Sequence, residues 1–122
     1  MWKNHNNRNK KLGEKGEKIA EKFLEKKNYK ILSRRFKAMR GEIDLIAMDK
    51  NILVFIEVKT RIDENFGLPE ESVTIHKQNQ IRKIAECYLK KYHMENSECR
   101  FDVIGIIQKN RKHYINHIKN AF

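Results

Sequence analysis

Two stretches constrain this chain more than any other: residues 41 to 47, which read GEIDLIA, and residues 55 to 59, which read FIEVK. Each sets carboxylates among β-forming apolar residues. Side chains alternate across a strand, so Glu42 and Asp44 should share one face while Ile43, Leu45 and Ala47 share the other. Glu57 and Lys59 should likewise point together, opposite Ile56 and Val58. Asp49 and Lys50 suit a tight hairpin turn between the two strands, and a hairpin centred there pairs residues whose numbers sum to 99. That register sets Glu42 opposite Glu57 and makes Asp44 the diagonal neighbour of Glu57. Opposite Cβ atoms then lie about 4.5–5.5 Å apart and diagonal ones about 7–8 Å. A slip of one residue would separate the groups completely.

Three carboxylates and a lysine on neighbouring strands repel and are costly to desolvate unless something neutralises them. A hard divalent cation, Mg²⁺ or Mn²⁺, is the natural answer, because it takes oxygen ligands and keeps several waters. Such an ion activates water for attack on a phosphodiester and offsets charge on the phosphate oxygens. Lys59, on the same face, has the chemistry to orient or deprotonate that water or to hold the scissile phosphate. For Asp44, Glu57 and Lys59 the bland alternative is a set of surface ion pairs on an exposed sheet. Glu42 is either a ligand or, the reading favoured here, a brace paired with Arg40 or Arg61.

The rest of the chain supplies a frame for these strands. Residues 1 to 12 are polar, basic and aperiodic, as in a flexible basic arm, and residues 13 to 122 read as a single domain. Ile19, Ala20, Phe23 and Leu24 recur at helical spacing, and Asn28 is a natural stop. On that helical wheel Glu17 lies near the apolar stripe, where it would lean over the sheet and join the metal site; its alternative is a surface ion pair with a lysine. Residues 29 to 36 form a candidate strand before the central two. Gly67 and Pro69 mark a loop, and a second helical pattern carries Val73, Ile81, Ile84, Ala85, Tyr88 and Leu89. Residues 101 to 107 read almost continuously apolar, as a central strand does. The last ten residues suit a further strand or a helical turn. Helices flanking one central mixed sheet define an α/β class.

Charge alone is a weak guide to the partner, and its distribution says more. The formal net charge is +11, which attracts polyanions and adds affinity through counterion release. Arg34, Arg35, Arg40 and Arg61 are candidate phosphate contacts, against the alternative of a solubilising surface. Asp63, Glu64, Glu70 and Glu71 form a local acidic patch within this basic surround. Trp2 and Phe36 are candidates for stacking on bases. His113 and His117 have a four-residue spacing used in zinc sites, but nothing in the chain completes a set. Two isolated cysteines, Cys87 and Cys99, fit free thiols in a reducing cytoplasm. No apolar run is long enough for a membrane span and no apolar secretory core precedes the domain, so a cytoplasmic protein is expected.

The run GEKGEKIAEKFLEKKNYKIL, RGEIDLIAMD, LVFIEVKTR, FGLPEESVTIHK, RFDVIGI and HIKNAF resembles the uncharacterised YraN-like family from residue 13 onward. That family looks like a branch of the restriction-endonuclease-like PD-(D/E)xK superfamily and is similar in motif order to archaeal Holliday-junction resolvases. The resemblance implies a restriction-endonuclease-like fold in which Asp44 takes the strand aspartate and Glu57 and Lys59 the Glu-x-Lys. It matches Glu17 to the first-helix glutamate of the resolvase-like branch, and Lys77 and Gln78 to helical residues near the site. The proline before the aspartate is replaced here by Ile43.

Three functions compete. The first is a Mg²⁺- or Mn²⁺-dependent endonuclease hydrolysing DNA phosphodiesters, at branched or junction structures by the resemblance, where paired cuts favour a homodimer. In it Asp44 and Glu57 hold metal, Glu17 is an auxiliary ligand and Lys59 assists the water. The second is a non-catalytic nucleic-acid-binding module, and the third a partner protein in DNA processing.

Overall fold

The computed structural model describes residues 2–62, 68 and 73–122, with side chains from residue 10 onward. Its elements run α1 (Trp2–Lys26), β1 (Lys30–Ala38), β2 (Gly41–Asp49), β3 (Ile52–Arg61), α2 (Ile75–Lys91), β4 (Cys99–Lys109) and β5 (Lys112–Ile118). Helix α1 reaches back to Trp2, so the boundary expected at residue 12 is not marked by a break in secondary structure. The helix stops where Asn28 adopts φ 69. The Asn28 amide donates to the Glu25 carbonyl and the Tyr29 amide to the Leu24 carbonyl, each at 3.0 Å, closing the helix in a Schellman motif. Helix α2 begins at Thr74, whose Oγ1 accepts from the Lys77 amide at 3.2 Å; Val73 precedes the helix and still reaches the core.

The five strands form one mixed sheet in the order β1-β2-β3-β4-β5. Strands β1, β2 and β3 form an antiparallel meander, β3 and β4 pair in parallel, and β5 returns antiparallel to β4. The parallel pair needs a crossover, which α2 supplies. This is the single α/β domain expected, a five-stranded mixed sheet with two helices.

Two cores result, one on each face. Helix α1 lays Ala20 and Leu24 on Leu45, Ala47, Val54, Ile56, Ile104 and Ile106. Helix α2 lays Ile81, Ile84, Ala85 and Tyr88 on Ile43, Ile46, Leu53, Phe55 and Val103. Gly16 permits α1 to approach β3 closely: a Cβ there would meet Thr60 Oγ1 at 2.0 Å. Cys87 and Cys99 are free. Among the described residues no helix is long and apolar enough to cross a membrane.

Candidate active site on the central hairpin

The hairpin register differs from expectation by one turn position. Asp49 pairs with Ile52, so the two-residue turn is Lys50–Asn51 and paired numbers sum to 101. Lys50, at φ 55, takes the left-handed conformation that lets the turn close. Moving the centre by one residue shifts the register by two, which preserves the faces but changes the partners. Asp44 now stands across from Glu57, and Glu42 no longer does.

The antiparallel ladder ends one position earlier, at Leu45↔Ile56. Beyond it the Val58 amide donates to Asp44 Oδ2 at 2.8 Å, so a carboxylate takes the place of a backbone acceptor. The alternation of β2 breaks here as well: Ile43 belongs to the core under α2, whereas Leu45 and Ala47 belong to the core under α1. The shared face expected for Ile43, Leu45 and Ala47 is therefore corrected. On β1, Arg35 falls between the pairs Arg34↔Leu45 and Phe36↔Ile43 and adopts φ 50. Both strands that flank Asp44 thus depart from regular geometry beside it.

Asp44 and Glu57 are both buried, with 9% and 5% exposure. Burial pushes the Asp44 carboxyl up to about 8, and hydrogen bonding to Glu57 and repulsion from it add to the effect. The Val58 amide and the charge of Lys59 act in the opposite direction. Burial therefore disfavours the ionised form of Asp44 unless a cation offsets its charge. Glu57 Oε2 is buried with no hydrogen-bond partner among the described residues; Lys77 Nζ, from α2, stands off at 3.5 Å. Lys59 follows Glu57 on the same side of β3 by strand alternation.

Glu17 lies at the rim. Arg35 Nε donates to Glu17 Oε1 at 2.8 Å, and Arg35 also approaches Glu14 at 3.7 Å. Burial raises the Glu17 carboxyl, Arg35 opposes this, and Asp44 and Glu42 add to it, so Glu17 feels the Asp44 charge while being held by an arginine. Its partner is an arginine, where a surface role had suggested a lysine. Glu42 pairs in the β1–β2 ladder with Lys37, and among the described residues it forms no ion pair with Arg40 or Arg61.

The remaining site residues separate into groups. Arg34 is paired with Glu21, so Arg34 and Arg35 are both engaged by α1 acids. Arg40, exposed, occupies the β1–β2 turn with φ 61. Arg61 has a buried Nε without a partner among the described residues. Gln78 is turned to its own helix start, donating to the Val73 carbonyl at 3.2 Å. Phe36 packs edge-on to Tyr88, 5.1 Å between centroids, and is not free to stack on a base. The side chain of Trp2, and Asp63, Glu64, Gly67, Pro69, Glu70 and Glu71, lie outside the described residues.

The histidine pair is not a zinc site. On strand β5 a four-residue separation spans about 13 Å; His113 is exposed while His117 Nε2 lies 2.7 Å from Asp102 Oδ2. That contact belongs to a network that sequence reading missed. Arg100 grips Asp102 with Nε and Nη2, both at 2.9 Å, and donates to Asp49 at 3.0 Å and to the Tyr29 hydroxyl at 2.8 Å. The Asn120 amide donates to Asp102 Oδ1 at 2.9 Å. Burial would raise the Asp102 carboxyl, but these bonds outweigh it and hold it below the ordinary range. Arg100 and Asp102 stand two apart on one strand face, a signal that apolar neighbours obscured. The network satisfies both Asp102 oxygens and ties β2, β4 and β5 together, while His117 Nδ1 is buried without a partner among the described residues.

Among the described residues no group of three or more His, Cys, Asp or Glu is arranged to hold a metal ion. Two carboxylates suffice for Mg²⁺ when waters and phosphate oxygens complete its octahedron. The Glu57 oxygen beside Asp44, without a hydrogen bond among the described residues and approached only by Lys77 at 3.5 Å, fits that chemistry.

The profile of the Uncharacterised protein family UPF0102 matches residues 16–106. A UPF0102 protein of Caldanaerobacter subterraneus subsp. tengcongensis is 51% identical over 114 residues, covering 91% of this chain and 93% of the relative. One from Geobacter metallireducens is 46% identical over 114 residues, covering 93% of each chain. One from Dictyoglomus turgidum is 43% identical over 116 residues, covering 93% of this chain and 98% of the relative.

Proposed function

The chain belongs to the uncharacterised protein family UPF0102, and from that premise and the Asp44–Glu57 pair we propose a divalent-metal-dependent endonuclease acting on DNA phosphodiesters. The observation that carries this reading is a buried carboxylate oxygen of Glu57 without a hydrogen-bond partner, beside an aspartate whose ionised form needs a cation. A pair like this costs stability in the folded state and is retained where it binds something.

Bound Mg²⁺ or Mn²⁺ would supply an activated water and neutralise charge on the phosphate. Asp44 and Glu57 would hold it, with Glu17 a reserve carboxylate that must first leave Arg35. Lys59 is suited to orient the water or grip a phosphate oxygen, and Lys77 to neutralise Glu57 between turnovers. The likeness of GEIDLIA and FIEVK to the PD-(D/E)xK pattern supports the same assignment, and the similarity to junction resolvases suggests branched DNA and a homodimer. A basic surface of net charge +11 would draw the substrate.

One observation favours a second reading, a non-catalytic nucleic-acid-binding module: a proton on Asp44 and the ammonium of Lys77 neutralise the pair without any metal. Incubation with linear, single-stranded, flapped and four-way-junction DNA, with Mg²⁺ or Mn²⁺ against chelator, separates the two. Cleavage that needs metal and disappears in Asp44→Ala and Lys59→Ala establishes the nuclease. Intact substrates with tight junction binding establish the module.

A further inference from the structure

A second cationic feature lies beyond the carboxylate pair, at the β4–β5 hairpin. Lys109 pairs with Lys112 across a two-residue turn, Asn110–Arg111, whose residues both take positive φ, 54 and 63. Glycine fills the second position of such a turn at least cost, yet an exposed arginine stands there. The turn and Lys15 of α1 border a half-open cavity of about 360 Å³, lined also by Ile62, Gln108, Lys112 and His113.

Among the described residues no carboxylate lines this cavity. Lys15, Lys109, Arg111 and Lys112 make no ion pair among the described residues, unlike Arg34, Arg35, Lys77 and Arg100. Like charges gathered without counter-charge favour a polyanion. Unpartnered donors point the same way: Gln108 Nε2 is buried without a partner among the described residues, and so is the Nε of the Arg61 guanidinium on the adjoining strand.

Position relates the cavity to the site. Lys59 pairs with Gly105 and Arg61 with Ile107, so Gln108 lies three residues past the level of Lys59. At about 3.3 Å per residue this is about 10 Å, roughly three nucleotides of duplex rise at about 3.4 Å each. We infer that this cavity receives a backbone phosphate of the nucleic-acid substrate about three nucleotides beyond the level of Lys59. The inference rests on the nucleic-acid reading above but not on cleavage.

The test is a salt titration of full-length protein binding to labelled four-way-junction DNA in chelator. A triple variant, Lys109→Gln, Arg111→Gly and Lys112→Gln, removes the charge while glycine keeps the turn. A control, Lys30→Gln, Lys50→Gln and Lys90→Gln, removes the same charge from exposed positions elsewhere. Each lost phosphate contact lowers the slope of log affinity against log salt by about 0.9. The hairpin variant is expected to lose one to two such steps, and the control none. Equal loss in both, or no binding by the unmodified protein, overturns the inference. Metal-dependent cleavage with equal slopes leaves the nuclease reading standing and removes the cavity; absent cleavage with a hairpin-specific slope change does the reverse.

Discussion

Asp44 Oδ2 accepts the Val58 amide at 2.8 Å, which makes the aspartate side chain the last rung of a ladder whose backbone pairing has already stopped at Leu45 and Ile56. A side-chain carboxyl thus stands in for a backbone acceptor where the pairing of β2 with β3 ends. Asparagine at this position keeps an acceptor for Val58 and removes the charge, so the two roles can be pulled apart.

The Asp44 carboxyl rises from 3.8 to about 8 on folding. The folded chain therefore binds this proton more tightly than the unfolded chain. Stability from this group is complete below about pH 4 and is lost as the pH climbs through 8. In chelator, thermal denaturation of the unmodified protein should show that decline, on the order of a few kcal/mol. Asp44→Asn should flatten it, and Mg²⁺ should restore stability at pH 8 to the unmodified protein alone. Parallel pH curves for the two proteins would refute the account.

Glu57→Gln should abolish any Mg²⁺-induced rise in melting temperature and lower cleavage by about 10²-fold or more. Lys77→Met should tighten Mg²⁺ binding a few-fold, since Lys77 Nζ, 3.5 Å from Glu57 Oε2, is the cation that a metal bound there would displace. Calorimetric titration with Mg²⁺ reads both. Weaker metal binding in Lys77→Met would contradict the competition.

Asp102 is fully buried and bonded by His117, Arg100 and the Asn120 amide. Arg100→Met leaves that charge without its main partner and should cost about 3–5 kcal/mol in denaturant unfolding. The Asp102 carboxyl is held low on folding, so its contribution is full above about pH 4 and is lost as the pH falls through the folded value. Asp102→Asn should therefore differ most from the unmodified protein near neutrality and converge with it in acid. Equal differences at both pH values would disprove the assignment.

Gly16→Ala would put a Cβ 2.0 Å from Thr60 Oγ1 and should destabilise by about 1–3 kcal/mol through overpacking. Thr60→Ala removes an oxygen that is buried without a partner among the described residues, so it should cost little alone and recover most of the Gly16→Ala loss. Additivity in the double-mutant cycle would place the strain elsewhere.

The order of helices and strands was legible because each carries its own period. Asn28 as a helix stop was legible because an αL cap has a residue preference. The turn was misplaced by one residue since Asp49, Lys50 and Asn51 all suit a turn, and only long-range pairing decides among them. Even so, parity survived, and Asp44 and Glu57 met. The break of alternation at Asp44 was hidden because strand period assumes an unbroken pleat. Glu17 and Arg35 could not be matched from spacing, as they come from separate elements and meet only once α1 crosses β1. Asp102 was hidden in an apolar run, where one charge reads as an exception until its partners are in place.

The parallel contact of β3 with β4 gives the site a history within folding. Strands β1 to β3 form by local hairpins, and both Asp44 and Glu57 lie on that meander. Strand β4 can join only after the chain has travelled through α2, a longer loop closure that slows folding. On contact order alone, the carboxylates are expected to come together before the crossover brings Lys77 over them.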